Sequence, residues 1–250
     1  STVGSINYAW NPIRNGGETG IGIGDNNFNL QRIYFGAVNE YNDEGNTVGI
    51  DLSFSRSESD GTRMYGDYNF NRYAGRVQMQ DERSQTDLFA GYQSKFFGWP
   101  NMYTPFNVNE TENLQTNLYL INHRENFADD SYIEFTGYYR RHKDDYEFNR
   151  FEPGQFNPFQ HETKVWSAGI QGYQDFHKIA LNYSAQFLAD EINSSNLTFG
   201  PFSSRSYYKF TLLPEWRQAL NTETDLILRA GVSYDYTNRD RSRVSPMASV

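Results

Sequence analysis

The chain of 250 residues contains no cysteine. This absence excludes disulfide frameworks and thiolate metal sites. Histidine is scarce as well: the four residues at positions 123, 142, 161 and 177 lie too far apart in sequence to predict a local ligand cluster. The net charge of −9 argues against nucleic acid as a partner, because no basic face is available to release phosphate counterions.

Long apolar runs are also missing. No stretch approaches the roughly 18 to 20 apolar residues that a membrane-spanning helix requires, and the first residues lack the basic and apolar regions of a signal peptide. A sustained helical period of apolar residues at i, i+3, i+4 and i+7 is absent. The mean hydropathy of −0.78 fits these absences. The sequence therefore predicts neither a helical fold nor transmembrane helices.

Aromatic residues, by contrast, are abundant, with 19 Tyr and 19 Phe beside 20 Gly. Disordered chains are poor in such residues, so we expect the chain to fold. The dominant period is two. In "KIALNYSAQF" the side chains of Leu181 and Tyr183 point to one side of a strand and those of Asn182 and Ser184 to the other. "TDLILRAGVSYDY" and "YYKFTLLPEW" repeat this pattern, which predicts strands with one apolar and one polar face.

The connections between predicted strands alternate in length. Short turns are predicted at 42–46, 81–85, 125–130, 173–177 and 221–224, and long connections at 57–71, 98–110, 143–160 and 189–205. Only the first connection on the long side, "DNNFN", is short. In an up-and-down meander every second connection lies at the same end, so one end carries turns and the other carries loops. This asymmetry is typical of outer-membrane β-barrels. A soluble sandwich with Greek-key connections has no reason to produce it.

The predicted fold is all-β, an antiparallel up-and-down transmembrane β-barrel with about eleven strands and a twelfth starting near Ser245. Strands of about 9 to 11 residues can cross a bilayer when tilted, and polar residues facing a lumen account for the low hydropathy. An unclosed meander would leave unpaired strand edges in hydrocarbon. We therefore expect this chain to be part of a larger barrel. A smaller closed barrel of ten or twelve strands is the alternative.

Several stretches resemble TonB-dependent outer-membrane receptors. "VGSINYAWNP", followed by "GGETGIGIGDNNFNLQRIYFG", is similar to the passage from the plug domain into the first barrel strand. "DLFAGYQSKFFGWPNMYTPFNVNETENLQTNLYLINHR" and "YYRRHKDDYEFNRFEPGQFNPF" resemble barrel strands and loops of a subgroup near the vitamin B12 receptors. The resemblance implies that residues 1–12 end a plug and that residues 13–250 form the N-terminal half of a transmembrane barrel of 22 strands, a number known for plugged outer-membrane transporters.

The resemblance implies that the protein imports a ligand without a covalent reaction step. A scarce ligand, such as a cobalamin, a ferric siderophore or an oligosaccharide, would bind outside and enter with energy from the TonB complex, reached through an N-terminal segment outside this chain. The expected location is the bacterial outer membrane, in contact with its lipid and lipopolysaccharide. A passive porin and a secreted carbohydrate-binding β-sandwich are the alternatives. An enzyme is not expected: His142 near Asp144 suggests a hydrolytic fragment, but no G-x-S-x-G or H-E-x-x-H motif accompanies it.

The candidate ligand-binding residues are aromatic and fall in two of the long connections. They are Trp99, Tyr103, Phe106, Tyr146, Phe148, Phe151, Phe156 and Phe159. Such rings can stack on a flat ligand, or they can pack against neighbouring loops and stiffen them. Asp144, Asp145 and Glu147 are candidates for binding Ca²⁺, although the spacing lacks the EF-hand pattern. No other cofactor is expected.

Overall fold

The computed structural model describes residues 10–42, 45–128, 130–156, 158–197, 203–221 and 224–250. These residues form one antiparallel sheet in which each strand pairs with its neighbours in chain order. Its twelve strands are β1 Gly16–Gly24, β2 Phe28–Glu40, β3 Thr47–Ser59, β4 Tyr68–Gln80, β5 Ser84–Pro100, β6 Asn109–Ala128, β7 Ser131–Glu147, β8 Phe159–Asp175, β9 Ile179–Ser194, β10 Ser204–Ala219, β11 Asp225–Thr237 and β12 Arg243–Ser249. No helix among the described residues is long and apolar enough to cross a membrane.

The predicted all-β, up-and-down topology is confirmed. The twelfth strand is present and begins at Arg243, two residues before the predicted start. β1 and β12 stand at the two ends of the strand order and do not pair within the described ranges. The described residues therefore form an open sheet, and the alternative of a closed barrel of ten or twelve strands is wrong.

The connections alternate between two ends of the sheet, and the longer ones lie at one end, where only 25–27 and 238–242 are short. We call the two ends the turn end, with connections 41–46, 81–83, 129–130, 176–178 and 220–224, and the loop end, with 25–27, 60–67, 101–108, 148–158, 195–203 and 238–242. The loops are shorter than predicted because the strands continue beyond their apolar portions. β6 runs for 20 residues and β7 for 17, and near the loop end polar side chains occupy both faces, so the apolar period disappears while backbone pairing persists.

This extension corrects the predicted location of several candidate residues. Trp99 belongs to β5, Phe159 begins β8, and β7 contains the four residues Asp144, Asp145, Tyr146 and Glu147. Only Tyr103, Phe106, Phe148, Phe151 and Phe156 lie in loops.

The strand register confirms the predicted separation of the two faces. Residues directly opposite each other in an antiparallel pair share a face, and Leu181 stands opposite Pro214 while Leu228 stands opposite Trp216. This apolar face carries most of the exposed large side chains, among them Ile33, Leu52, Tyr73, Phe210 and Leu212. Asn182 and Arg229 belong to the opposite, polar face.

Three buried charged residues on the polar face, Arg76, Asp87 and Glu215, form ion pairs. Arg76 contacts Asp51 at 2.8 Å and the fully buried Asp87 at 3.6 Å. Nearer β11, the buried carboxylate of Glu215 lies between Arg217, at 2.5 Å, and Arg229, at 2.6 Å. Such pairing is required because an isolated buried charge is strongly destabilising.

The segment before β1 packs on the polar face near the turn end. The N–H of Ile13 donates to Gln78 Oε1 at 2.9 Å, and Arg76 Nη1 donates to the backbone oxygen of Asn11 at 2.9 Å. A Cβ on Gly49 would stand 2.9 Å from the Cβ of Ile13, so glycine permits this close approach. Residues 1–9 of the predicted plug segment lie outside the described residues.

Candidate ligand-binding site

The candidate site lies at the loop end, where the connection 101–108 meets the connection 148–158. Tyr103 contacts Tyr146 with ring centroids 5.6 Å apart, and Phe106 contacts Phe148 at 6.2 Å. Further rings extend both contacts, since Tyr146 stacks on Phe159 at 5.6 Å and Phe148 packs against Phe156 at 5.9 Å. These contacts form two groups of three rings, which the connection 101–108 links through Tyr103 and Phe106, and we call the six residues together the ring cluster. It brings together six of the eight aromatic residues predicted from sequence.

Two carboxylates of β6 hold Tyr103 and Tyr146 of the ring cluster in place. Glu110 is fully buried and accepts hydrogen bonds from the N–H of Tyr103 and the hydroxyl of Tyr146, both at 2.7 Å. Glu112 accepts a bond from the hydroxyl of Tyr103 at 2.6 Å. These bonds offset the desolvation of the carboxylates. They also fix Tyr103 to the sheet at two points, which restrains the loop.

The ring cluster has a buried part next to the sheet and an exposed outer part. Tyr146 is only 7% exposed, whereas Phe106 is 69% and Phe156 is 50% exposed. Phe151, beside the cluster, is 60% exposed. Exposed apolar groups gathered in one place often mark an interaction site. The arrangement can present rings to a ligand without unfolding the loops.

Tyr103 remains a hydrogen-bond donor throughout the neutral range. Burial of its hydroxyl is the main cause that raises the pKa of Tyr103 to about 12, and the bond to Glu112 adds to it. The phenol is therefore protonated at neutral pH, and it keeps donating to the carboxylate.

A second contact joins the connections 60–67 and 148–158, and we call it the loop clasp. Arg150 donates to both carboxylate oxygens of Asp67, at 2.5 and 3.0 Å, in the bidentate geometry that makes such pairs strong. The ring of Phe151 meets the ring of Tyr65 edge-on at 5.1 Å. The hydrogen bond from Arg150 is the main cause that lowers the pKa of Asp67 below its ordinary value of 3.8.

We expect Asp67→Asn to loosen the connection 148–158. Because the clasp is partly exposed, its loss should speed pepsin cleavage within this loop only about two- to fivefold at about pH 5. The pKa of Asp67 is lowered in the folded protein, so the clasp contributes above pH 3.8 and is lost as pH falls through the lowered pKa. The difference between wild type and variant should therefore vanish in that more acidic range. Mapping the cleavage products by mass spectrometry checks both expectations.

The control is Asp190→Asn, which removes an exposed ion pair with Arg205 but does not touch the clasp. Equal cleavage of the loop in wild type and Asp67→Asn at about pH 5 would show that the clasp does not restrain it.

Trp99 and Phe151 lie outside the ring cluster. The guanidinium of Arg63 sits over the indole of Trp99 at 5.1 Å from the ring centroid, a cation–π contact. Phe151 belongs with Tyr65 at the loop clasp. The residues that sequence reasoning missed are Glu110, Glu112, Tyr65, Asp67 and Arg150. Only the "NETEN" alternation hinted at the two glutamates, because it places both on one face.

The three Ca²⁺ candidates do not surround a common point. Asp144 lies on the polar face of β7, whereas Asp145 and Glu147 lie on the apolar face, as alternation along a strand requires. Glu147 instead accepts a hydrogen bond from the N–H of Gly154 at 2.8 Å. Within the part of the chain that the structure describes, no group of three or more His, Cys, Asp or Glu residues is placed to hold a metal ion. Use of Ca²⁺ stays a prediction without a site.

Solved siderophore receptors have a similar fold. PirA from Pseudomonas aeruginosa superimposes with a TM-score of 0.60 at 15% identity, over 92% of this chain and 38% of the receptor. PirA from Acinetobacter baumannii gives 0.60 at 11% identity, over 95% and 41%, and BauA, the ferric preacinetobactin receptor from the same organism, gives 0.54 at 11%, over 93% and 43%. No protein-family model and no curated protein matches the sequence.

These comparisons define the class of fold. The chain has the up-and-down antiparallel architecture of a receptor β-barrel, and it spans 38 to 43% of the length of the three receptors it matches. All three are siderophore receptors, so they lend no support to a position near the vitamin B12 receptors.

Proposed function

We propose that this chain forms part of an outer-membrane receptor that binds a scarce small molecule or metal chelate, with a ferric siderophore as the first candidate. The observation that carries the proposal is the ring cluster, anchored on Glu110 and Glu112 at the loop end of a receptor-like sheet. Cobalamin and oligosaccharide remain the alternative ligands. In this proposal residues 1–12 end a plug, and residues 13–250 supply the N-terminal half of the transmembrane barrel.

Binding at the ring cluster would rest on stacking and on restraint of the loops. Exposed rings bury apolar area against a flat ligand and gain further energy from offset stacking. The bonds from Tyr103 to the sheet and the loop clasp reduce the conformational entropy that binding must remove. Glu110 and Glu112 are engaged by hydroxyl and N–H donors, so the cluster presents mainly ring surface. Import in this proposal is energised by TonB and requires no covalent step, hence no enzymatic activity.

An epitope inserted after Gly154 tests the location and the orientation. Gly154 lies in the exposed connection 148–158, and a Cβ added there would meet no described atom within 4 Å, so an insertion should be tolerated. In cells making the full-length protein, we expect antibody staining without permeabilisation. An epitope in the turn-end connection 176–178 is the matched control and should be stained only after the outer membrane is permeabilised. The reverse pattern would contradict the topology, and absence from the outer membrane would contradict the proposal.

Dependence on energy separates a receptor from a porin. Uptake of a radiolabelled ferric siderophore by the same cells should stop when the proton gradient is collapsed. If the siderophore enters without the proton gradient, at a rate that rises linearly with siderophore concentration, the protein is a passive porin instead.

A further inference from the structure

Three cations gather on the apolar face at the loop end of β7 and β8. Arg141 Nη2 lies 2.7 Å from Glu162 Oε2, Lys164 Nζ lies 3.4 Å from Glu162 Oε1, and Lys143 Nζ lies 4.0 Å from Glu162 Oε2. We call these four residues the basic cluster. Their side chains are between 21% and 41% exposed, so the cluster is accessible from outside the sheet.

Ion pairs balance the positive charge of the basic cluster only in part, because all three cations share the carboxylate of Glu162. Arg141 and Lys164 stand directly opposite each other in the register, and like charges in that position are destabilising. Arg141 Nε is buried, and no described residue accepts a hydrogen bond from it. Asp145 and Glu191 are the nearest other carboxylates along this face, but among the described residues neither forms an ion pair with the three cations. The geometry leaves room for an anion.

The surface on the turn-end side of the cluster is apolar. Tyr119, Tyr139 and Trp166 form a row of rings, with centroids 6.3 and 5.5 Å apart. An open groove of about 710 Å³ continues from Asn117 and Tyr119 across β5, β4 and β3 to β2. Asn117 is the register partner of Arg141, so the groove ends beside the basic cluster. This groove lies on the opposite face of the sheet from the ring cluster, so the two are separate sites.

The surface on the loop-end side of the cluster is polar. A groove of about 320 Å³ is lined by Lys143 and Glu162 together with Gln160, Asn193 and other hydrophilic side chains. Along β7 and β8, the ring row, the cation cluster and the polar groove therefore follow one another toward the loop end, and the apolar groove lies beside the first two across the strands. The order from rings through cations to hydrophilic side chains matches the outer layers of a membrane leaflet, where the apolar region gives way to charged and sugar-bearing headgroups.

We infer that this surface binds a phosphorylated glycolipid of the outer leaflet, with a headgroup phosphate on Arg141 and Lys164. Guanidinium groups bind phosphate in bidentate fashion, which would give the unpartnered Nε a partner. Acyl chains would lie in the apolar groove and sugar in the polar one. The inference rests on the proposed location in the outer membrane, with the loop end outside. Continuity of the cluster with the apolar groove favours a lipid over a soluble anion.

The test is binding of purified lipopolysaccharide to the full-length protein in detergent, measured by native mass spectrometry. The triple variant Arg141→Gln, Lys143→Gln, Lys164→Gln should bind at least tenfold more weakly than wild type. Removal of the lipid phosphates should weaken binding to wild type by a similar factor. Arg205→Gln is the matched control, because Arg205 is an exposed cation on the polar face. It stands opposite Asp190 of β9, and the next residue of β9, Glu191, stands opposite Lys164. The control variant should bind like wild type.

Arg141→Lys protects the test against a folding artefact, since it keeps the charge and loses only the bidentate geometry. It should bind with an affinity between those of wild type and the triple variant. Equal binding by wild type and triple variant, or by phosphorylated and dephosphorylated lipid, would overturn the inference. Competition by inorganic phosphate alone at the same concentration would assign the cluster to a soluble anion and overturn it too. Siderophore uptake by the triple variant is measured in parallel, so that failure of the receptor proposal is recognised separately.

Discussion

The double variant Phe148→Ala, Phe151→Ala is expected to bind ligand about ten- to a hundredfold more weakly than wild type. Each aromatic pair contributes roughly 0.5 to 1.5 kcal/mol beyond area burial, and about 1.4 kcal/mol corresponds to a factor of ten. Phe148 also supports Phe106 and Phe156, so its loss disturbs the exposed rings as well. The measurement is equilibrium binding of ferric siderophores to cells that make the full-length protein, with surface abundance measured in parallel.

A matched control removes two rings at the other end of the sheet. Phe127 and Phe176 are 53% and 62% exposed near the turn end, and Phe127→Ala, Phe176→Ala should leave affinity unchanged. The single variant Phe151→Ala removes an exposed ring and leaves the ring cluster intact. It should show less than half of the free-energy effect of the double variant, because the loss of Phe148 also disturbs Phe106 and Phe156. If the double variant binds with wild-type affinity at normal surface abundance, the rings serve only to pack the loops together. This is the alternative that the sequence left open.

In the proposed outer-membrane location, replacing Leu212 by Arg should destabilise the protein by about 2 to 4 kcal/mol, the cost of placing a cation at the lipid-facing midplane. Leu212 is 47% exposed on the apolar face, midway along β10 between Tyr208 and Trp216. Leu228 stands opposite Trp216, nearer the interface, and Leu228→Arg should cost about 1 kcal/mol or less. Leu181 stands opposite Pro214, and the cost of Leu181→Arg should lie between the costs at Leu228 and Leu212. Unfolding in urea of the full-length protein in lipid bilayers measures these free energies.

Thr211→Arg is the control, because Thr211 is the neighbour of Leu212 on the polar face and lies between Ser184 and Ser233 in the register. We expect a change within about 1 kcal/mol. Equal costs at positions 211 and 212 would show that both faces are buried alike, as in a soluble sandwich.

The sequence by itself determined the strands, their order and the two faces. Alternation in "KIALNYSAQF" places Leu181 and Asn182 on opposite sides because successive side chains of a strand point in opposite directions. The alternation of short and long connections determined the turn end and the loop end, since a meander returns to the same end at every second connection. The first signal lies within one segment and the second in the order of connections along the chain, so neither depends on which distant residues meet.

Tertiary structure decided where the strands end and which residues meet. Near the loop end the hydrogen-bonded ladder carries β7 on to Glu147 although both of its faces are polar, so apolar periodicity could not mark the boundary. Tyr103 meets Glu110 and Glu112, and Arg150 meets Asp67 across 83 positions of sequence. The basic cluster likewise depends on the register that sets Arg141 opposite Lys164. Register and loop contacts are pairwise properties of distant segments, and no pattern within one segment determines them.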